Sequence, residues 1–226
     1  MKKLYSVAID GPSGAGKSSV AKAIAKELNI LYVDTGAIYR TIGLAVFRRA
    51  LDPKRKEGML PVLPELDIRM AYGDDGLQHM LLNGEDVTAE IRRPEISLYA
   101  SDVSAMAEVR EFLMEMQRDM ARKNCVVMDG RDIGTVVLPD ADVKIFLTAS
   151  AQERARRRFL ELQKRGMEKP YEAILAEQEI RDYNDTHRAV APLKPADDSM
   201  IVDTTELDFE RSKEKILSII REKLAL

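Results

Sequence analysis

The stretch Gly11-Pro12-Ser13-Gly14-Ala15-Gly16-Lys17-Ser18 decides the fold. It matches the pattern G-x-x-x-x-G-K-[ST] at every fixed position. The apolar run 4–9 before it is rich in strand formers, and the segment 17–27 after it combines helix formers with apolar residues at helical spacing. A strand, a glycine-rich turn and a helix in this order surround an anion with backbone N–H groups. The stretch therefore predicts a phosphate-binding loop. An ordinary turn that merely needs glycine is the alternative.

Two side chains of this loop carry chemistry of their own. In such loops the lysine reaches the β- and γ-phosphates of a nucleotide, and the following hydroxyl binds Mg²⁺. We therefore expect these roles for Lys17 and Ser18. The loop alone does not say what happens to the nucleotide, so small-molecule kinases, nucleotide switches and motor-type ATPases all remain open.

Four further short apolar runs are predicted to be strands, at 30–33, 125–128, 143–147 and 200–202. Helical patterns cover 37–50, 101–122, 150–164, 171–184 and 209–224. Strands that alternate with helices indicate a parallel sheet with helices on both faces. The sequence thus predicts an α/β fold with a five-stranded parallel sheet.

One segment breaks this alternation. Residues 66–87 read as antiparallel strands, 67–72 and 77–82, with hairpin signals at 73–76 and at Asn83-Gly84. We interpret 52–100 as a small antiparallel-β insert. The whole chain, 1–226, then forms a single domain whose core comprises 1–51 and 101–226.

Composition excludes several classes of protein. The chain has 226 residues, of which 45% are hydrophobic and 32% charged, with a net charge of −3. This balance indicates a globular protein without bulk attraction to nucleic acid or anionic membranes. No apolar stretch approaches the roughly 18 residues of a membrane span, and the N-terminal run is too short for a signal peptide. The single cysteine, Cys125, excludes an internal disulfide and a cysteine-based zinc site. We expect a cytoplasmic protein.

A second motif, Asp34-Thr35-Gly36-Ala37-Ile38-Tyr39-Arg40, follows the second predicted strand. At the carboxyl edge of a parallel sheet this position lies beside the phosphate loop, where ligands bind. The residues Thr35 and Gly36 suit a turn, and Arg40 can form paired hydrogen bonds to a second phosphate. An ordinary capped helix with a solvated arginine is the alternative.

The chain resembles the bacterial cytidylate kinases. The resemblance rests on the phosphate loop, on Asp-Thr-Gly-x-x-Tyr-Arg and on Asp129-Gly-Arg131-Asp132-Ile-Gly-Thr135. It extends over essentially the whole chain and includes the insert hairpin, Arg92-Arg93-Pro94 and the segment 184–193. Adenylate kinases share the loop but carry Asp-Gly-Phe-Pro-Arg where this chain has Asp-Gly-Arg-Asp.

The resemblance implies a P-loop NTPase fold that phosphorylates CMP and dCMP with Mg·ATP. It implies an ATP site at Gly11, Pro12, Ser13, Gly14, Ala15, Gly16, Lys17, Ser18 and Ser19. It implies an acceptor site at Thr35, Gly36, Tyr39, Arg40, Ser101, Arg110, Asp129, Arg131, Asp132, Arg181, Asp185 and Arg188. Ser18 and Asp129 are expected to hold Mg²⁺. A strand-end turn is the alternative role for Asp129.

The resemblance also assigns roles within the acceptor site. Asp132 would accept from the cytosine amino group, where uracil offers a second acceptor. Ser101 and Arg110 would bind the same base. Taken by themselves, however, Ser101 reads as the cap of a helix over 102–122, and Arg110 as the partner of Glu108, Glu111 or Glu115.

The residues Arg181, Asp185 and Arg188 share one face if their segment is helical. The resemblance implies that Arg181 and Asp185 bind the ribose and that Arg188 binds the acceptor phosphate. A surface ladder of ion pairs is the alternative.

A basic lid is predicted at 153–170, where seven Lys/Arg stand against three Glu. Its arginines can neutralise charge on the transferred phosphoryl group, and the candidates are Arg154, Arg157 and Arg158. A solvated helix face is the alternative. The predicted catalytic set is completed by Lys17, Arg131 and Arg188. We expect a monomer whose partners are ATP, CMP and dCMP, with no nucleic acid and no membrane. A nucleotide-hydrolysing switch and a kinase for another acceptor are the competing functions.

Overall fold

The computed structural model describes residues 4–73 and 76–225. Its strands are β1 (Ser6–Asp10), β2 (Leu31–Asp34), β3 (Ile68–Tyr72), β4 (Gln78–Leu82), β5 (Glu85–Asp86), β6 (Val126–Gly130), β7 (Val143–Thr148) and β8 (Met200–Asp203). Its α-helices are α1 (Lys17–Leu28), α2 (Thr35–Arg48), α3 (Lys56–Met59), α4 (Pro94–Ser104), α5 (Ala107–Lys123), α6 (Ala151–Lys164), α7 (Tyr171–His187) and α8 (Phe209–Leu224). Among these described residues, no helix is both long enough and apolar enough to cross a lipid bilayer.

The predicted five-stranded sheet is confirmed, with the order β2-β6-β1-β7-β8. Strand β1 lies parallel to both of its neighbours, with Ile9 opposite Asp129 and Asp10 opposite Phe146. Because both faces of the central strands are covered, their sequences are continuous apolar runs, and Val7, Ala8 and Ile9 are fully buried. The parallel register brings the carboxyl ends of β1, β6 and β7 to one edge of the sheet.

The chain divides into two compact units. The first comprises Met1–Leu31 and Asn124–Leu226, and the second comprises Tyr32–Lys123. In the first unit, side chains cap the helix starts: Ser150 accepts from the N–H of Glu153 at 3.2 Å, and Asp208 accepts from that of Arg211 at 2.8 Å. Such caps satisfy N–H groups that have no partner inside a helix. They fix where α6 and α8 begin.

The second unit contains the predicted antiparallel strands. Strands β3 and β4 pair antiparallel, and β5 adds a third strand. Asn83 and Gly84 both have positive φ, 51° and 84°, as the two-residue hairpin turn between β4 and β5 requires. The other predicted turn, 73–76, includes residues 74 and 75, which lie outside the described residues. The assignment of 52–100 as a separate insert stays a prediction.

The single helix predicted over 101–122 is wrong. The structure has two helices, α4 and α5, with Ala105 and Met106 between them. The N–H groups of Ala105 and Met106 bond three residues back, to Asp102 and Val103, which tightens and ends α4. The guanidinium of Arg110 donates to the carbonyl of Ser104 at 3.1 Å. No glycine or proline marks this break; the side chain of Arg110, six residues further along the chain, binds the last carbonyl of α4 instead.

The second predicted helix also begins earlier than expected. Thr35 and Gly36, interpreted as a turn, form the first residues of α2. The reason is Asp34, whose carboxylate accepts from the N–H of Ala37 at 2.9 Å and caps the helix.

Candidate active site

The phosphate loop joins β1 to α1 in the first unit, as predicted. Gly11 has φ 149°, and a Cβ added there would lie 1.9 Å from the carbonyl oxygen of Leu147 in β7. Only glycine therefore fits between the loop and that strand. Three carbonyl oxygens of the loop accept from cations: that of Pro12 from Lys17 at 2.8 Å, that of Ser13 from Arg154 at 3.0 Å and that of Ala15 from Arg157 at 3.4 Å. Protein cations thus hold the loop by its carbonyl oxygens, as suits a loop whose N–H groups bind an anion.

Lys17 is the first residue of α1 and is buried, with 5% of its surface exposed. Burial, and then the positive charge of Arg131, lower the pKa of its ammonium group. The carboxylate of Asp129 acts in the opposite direction. Because a bound phosphate adds negative charge at this point, it would favour the ammonium form of Lys17.

Ser18 and Asp129 come together although they are far apart in the sequence. The Ser18 hydroxyl donates to Oδ2 of Asp129 at 2.8 Å. Mg²⁺ in nucleotide sites binds one or two protein oxygens together with phosphate oxygens and water. Among the described residues, no group of three or more His, Cys, Asp or Glu is arranged to hold a metal. A hydroxyl beside a carboxylate fits Mg²⁺ carried by a nucleotide.

The loop after β6 carries two predicted acceptor residues, and both meet α7 or its C-terminal cap. The Arg131 Nε donates to Oδ2 of Asp185 at 2.7 Å, and Arg188 Nη2 lies 3.5 Å from Oδ1 of Asp132. Burial works to raise the pKa of Asp185, but the guanidiniums of Arg131, Arg181 and Arg188 lower it overall. The pattern of residues 181, 185 and 188 is thus part of a buried charge cluster and not a surface ladder.

A buried carboxylate, Asp10, supports the loop after β6, although the sequence predicted no role for it. Oδ1 of Asp10 accepts from the N–H of Ile133 at 2.7 Å, and Oδ2 accepts from that of Gly134 at 2.7 Å. Burial raises the pKa of Asp10 to about 6, although both backbone bonds and Lys17 act to lower it. The only signal in the sequence was an acid at the end of an apolar strand.

The predicted lid arginines differ in their surroundings. Arg154 is buried and forms an ion pair with Asp182, a second residue to which the sequence analysis gave no role. Its Nε also donates to the carbonyl of Ala149 at 2.9 Å. Arg157 bonds Glu153 at 2.9 Å and the carbonyl of Thr204 at 2.7 Å. In this arrangement Arg154 and Arg157 fasten α6 to the phosphate loop.

Arg158 is the more open of the three, paired with Glu161 at 2.7 Å. Beyond it, α6 and α7 pack against each other through a small apolar core of Ala155, Leu162 and Ile174. The segment predicted as a lid, 153–170, therefore comprises most of α6 and the turn that follows it, in which Gly166 has φ 68°.

In the second unit, the motif after β2 surrounds Asp34. Its Oδ2 accepts from Arg40 Nη2 at 2.9 Å and lies 3.6 Å from Arg92. A Cβ on Gly36 would lie 3.1 Å from both Arg40 and Asp34, so the glycine allows this close packing. Thr35 is buried at the start of α2. Two guanidiniums that share one carboxylate form a cationic group suited to a phosphate.

The other residues predicted in this unit lie on or beside α4 and α5. Ser101 is inside α4, so the alternative that it caps a helix is wrong. Arg110 is buried, and its guanidinium carbon lies 5.5 Å from the ring centroid of Tyr39, a cation–π distance. Two of its expected glutamate partners pair elsewhere: Glu108 with Lys56 and Glu115 with Arg122.

A family model described as cytidylate kinase matches residues 7–222. A cytidylate kinase of Caldicellulosiruptor saccharolyticus is 51% identical over 219 residues, which cover 97% of this chain and 96% of the relative. The cytidylate kinase of Salmonella typhimurium is 47% identical over 220 residues, which cover 97% and 96%.

Solved structures agree at the level of the fold. An uncharacterized protein from Eubacterium ventriosum superposes with a TM-score of 0.54 at 14% identity, covering 97% of this chain and 99% of that chain. A shikimate kinase from Bacteroides thetaiotaomicron gives 0.50 at 16% identity, covering 99% and 100%. With a phosphate loop on a five-stranded parallel sheet and a family match over nearly its whole length, the chain belongs to the cytidylate kinase family of nucleoside monophosphate kinases.

Proposed function

We propose that the enzyme transfers the γ-phosphoryl group of ATP to the phosphate of CMP or dCMP, releasing ADP with CDP or dCDP. The observation that carries this proposal is the charge cluster beside the phosphate loop. There Arg131 donates to Asp185 at 2.7 Å, and Asp129 accepts at 2.8 Å from Ser18, the residue after Lys17. A loop that only hydrolyses a nucleotide does not need this second set of arginines and carboxylates. Relatives named cytidylate kinase that align with nearly the whole chain support a cytidine acceptor.

The donor half of the proposal assigns ATP to residues 11–19. Loop N–H groups would bind the phosphates, and Lys17 would bridge the β- and γ-phosphates. The bond from Lys17 to the Pro12 carbonyl, 2.8 Å, places its ammonium group over the loop. Ser18 and Asp129 would hold the Mg²⁺ that accompanies ATP. When bound, that ion neutralises charge on the phosphate oxygens.

The transfer itself needs position and charge, not a strong base. The nucleophile is a phosphate oxygen of the acceptor, which is already anionic at neutral pH. It attacks the γ-phosphorus in line, the bond from that phosphorus to the β–γ bridging oxygen breaks, and ADP keeps the electron pair. Arg131 and Arg188 would neutralise the approaching phosphates, with Arg154, Arg157 and Arg158 as the lid candidates. Because Arg154 and Arg157 already bond loop carbonyls, a phosphate contact would add to that role or replace it.

The acceptor half assigns the base to Asp132, whose carboxylate is 4% exposed. It would accept a hydrogen bond from the cytosine amino group, whereas uracil presents an oxygen at that position. A site built for a hydrogen bond strongly rejects an analogue that lacks it. Asp185 and Arg181 would bind the ribose hydroxyls, and dCMP keeps the 3′-hydroxyl contact.

Residues of the second unit are also assigned to the acceptor. We propose that Arg40 contacts its phosphate, supported by the pair of guanidiniums that share Asp34. Thr35, Gly36 and Tyr39 accompany Arg40 on α2. Ser101 and Arg110 are proposed to contact the base, and burial of Arg110 against Tyr39 supports a fixed position for its guanidinium.

The lid, 153–170, is proposed to close over the transferred group. Closure would exclude water and suppress hydrolysis of ATP. Arg158 supports this proposal, because it is the most open of the three lid arginines and pairs with Glu161 of the same helix. A cytoplasmic location and a monomeric state complete the proposal.

The experiment is ADP formation from Mg·ATP with CMP, dCMP, UMP, AMP, GMP or no acceptor, measured side by side. Fast turnover with CMP and dCMP alone is expected. ADP release that no acceptor accelerates would favour a nucleotide-hydrolysing switch, and turnover with a different monophosphate would favour a kinase for that acceptor.

The variant Asp132→Ala then tests the base assignment. Loss of a hydrogen bond to a charged group costs about 1.5–3 kcal/mol, so the ratio of kcat/KM for CMP over UMP should fall by at least about 10-fold. The KM for ATP should stay within about twofold. The matched control is Asp140→Ala, which removes an exposed aspartate from the turn before β7. An unchanged CMP over UMP ratio in Asp132→Ala would remove the base assignment.

A further inference from the structure

Asp10 is a buried carboxylate to which the proposed chemistry gives no part. It ends β1, directly before the phosphate loop, and 5% of its surface is exposed. Its oxygens accept from the N–H groups of Ile133 and Gly134, both at 2.7 Å. Ile133–Val137 is a short helical turn, and these are its first two N–H groups. Asp10 therefore caps a turn that is more than 120 residues away in the sequence.

The ordinary cap of this turn would be Asp132. It occupies the N-cap position, and aspartate there normally accepts from an N–H of the first turn. Asp132 makes no such bond. Its Oδ1 instead lies 3.5 Å from Arg188 Nη2, and the side chain is 5% exposed. Asp10 thus caps the turn at 133–137 in place of Asp132.

We infer that Asp10 is a positioning residue for base selection: by capping the turn at 133–137, it keeps the Asp132 carboxylate turned towards the acceptor. This inference rests on the proposed function, in which Asp132 reads the cytosine amino group. Asp10 does not touch the nucleotide. It acts by occupying the N–H groups that would otherwise attract Asp132.

The inference makes a definite statement about Asp10→Asn. The amide replaces one acceptor oxygen with an NH₂ group that faces a backbone N–H. A buried donor without an acceptor is costly, and the Asp132 carboxylate is the group nearest in sequence that can satisfy it. If the Asp132 carboxylate turns to cap the helical turn at 133–137, it no longer accepts a hydrogen bond from the cytosine amino group.

The test is the ratio of kcat/KM for CMP over UMP in Asp10→Asn. It should fall about 10-fold, mainly through KM for CMP, while KM for ATP stays within about twofold. The matched control is Asp142→Asn. Asp142 also accepts from a backbone N–H of β1, that of Ser6 at 2.9 Å, but at the other end of the strand. This control should leave the ratio unchanged.

A double-mutant cycle separates positioning from general damage. If Asp10 acts through Asp132, then Asp10→Asn should change base preference less than about twofold in the Asp132→Ala background. Equal losses with and without the Asp132 carboxylate would overturn the inference, as would an unchanged ratio in the single variant.

A second variant covers the case in which Asp10→Asn does not fold. Asp10→Glu keeps the carboxylate but shifts its oxygens by one methylene from the N–H groups of Ile133 and Gly134. Base preference should fall in the same direction by a smaller factor, and an unchanged preference would overturn the inference. Failure of the proposed function looks different, because the wild-type enzyme itself would then show no preference for CMP.

Discussion

Replacing Gly11 with alanine tests how the phosphate loop is seated on the sheet. Gly11 has φ 149°, and the new Cβ would lie 1.9 Å from the carbonyl oxygen and 3.0 Å from the carbonyl carbon of Leu147. Both atoms belong to the backbone of β7, which is paired with β1 and β8. They cannot rotate away as a side chain can. The clash with the Leu147 backbone is relieved only if the phosphate loop leaves its position or β7 separates from β1.

The cost can be assembled from two contributions. A non-glycine residue at such a φ costs about 1–3 kcal/mol, and forced overpacking costs about 1–3 kcal/mol or more. We expect Gly11→Ala to lower the free energy of unfolding by about 3–5 kcal/mol. For a chain of this length, each kcal/mol shifts Tm by roughly 2–4 °C. The midpoint should therefore fall by about 10 °C, and KM for ATP should rise because the loop is displaced.

The matched control is Gly166→Ala. Gly166 also has a positive φ, 68°, but nothing lies within 4 Å of an added Cβ. Only the cost of placing alanine in the left-handed backbone region remains, about 1–2 kcal/mol. Urea unfolding and thermal melts of both variants, with ATP kinetics, isolate the close approach to Leu147. Equal losses of stability in the two variants would refute the reasoning.

Three further expectations follow from the first unit. Asp182→Asn should cost about 2 kcal/mol in urea unfolding and raise KM for ATP, because it leaves Arg154, whose side chain is 5% exposed, without its charge partner. The control Glu161→Gln, which breaks two exposed pairs, with Arg158 and Arg165, should cost less than about 1 kcal/mol; equal costs would contradict the role of burial. Ser18→Ala should raise the Mg²⁺ concentration needed for half-maximal turnover, and an unchanged requirement would remove Ser18 from the metal site. Burial raises the pKa of Asp10 from 3.8 to about 6, with Asp132 acting to raise it and Lys17 to lower it; the folded state therefore holds this proton more tightly than the unfolded chain. From pH 4 to pH 6 the wild type should thus lose up to about 3 kcal/mol of stability relative to Asp10→Asn, and parallel stability curves would contradict this shift.

The local pattern was sufficient for most of the architecture. Continuous apolar runs predicted all five strands of the parallel sheet, because strands covered on both faces expose no polar side. The hairpin at Asn83-Gly84 followed from the positive φ that both turn residues adopt. The helix over 101–122 failed because its end is set by Arg110, through the Ser104 carbonyl, and not by a residue at the break.

The candidate site likewise contains residues that the sequence predicted and residues that it did not. The phosphate loop is one contiguous motif, so residue types and spacing predicted it. The acceptor arginines were predicted mainly from the resemblance to a family whose model matches residues 7–222. The sequence did not predict the roles of the carboxylates that hold those motifs in place. Asp182 lies 28 residues from Arg154 in the sequence, and Asp10 lies 123 from Ile133. No local sequence pattern indicates a hydrogen-bond or ion-pair partner that lies so far away along the chain.

By itself, therefore, the sequence determined the phosphate loop, the alternation of strands and helices, and the residue types offered to a nucleotide. These depend on backbone geometry and periodicity, which act over a few neighbouring residues. Only the tertiary structure decided which carboxylate meets which cation or N–H group. Asp10 caps the turn that Asp132 begins, Asp182 holds Arg154, and Asp185 bonds Arg131. The physical reason is that burial makes an unpaired charge or donor costly, so partners are chosen by what the folded sheet brings into contact, however far apart they lie along the chain.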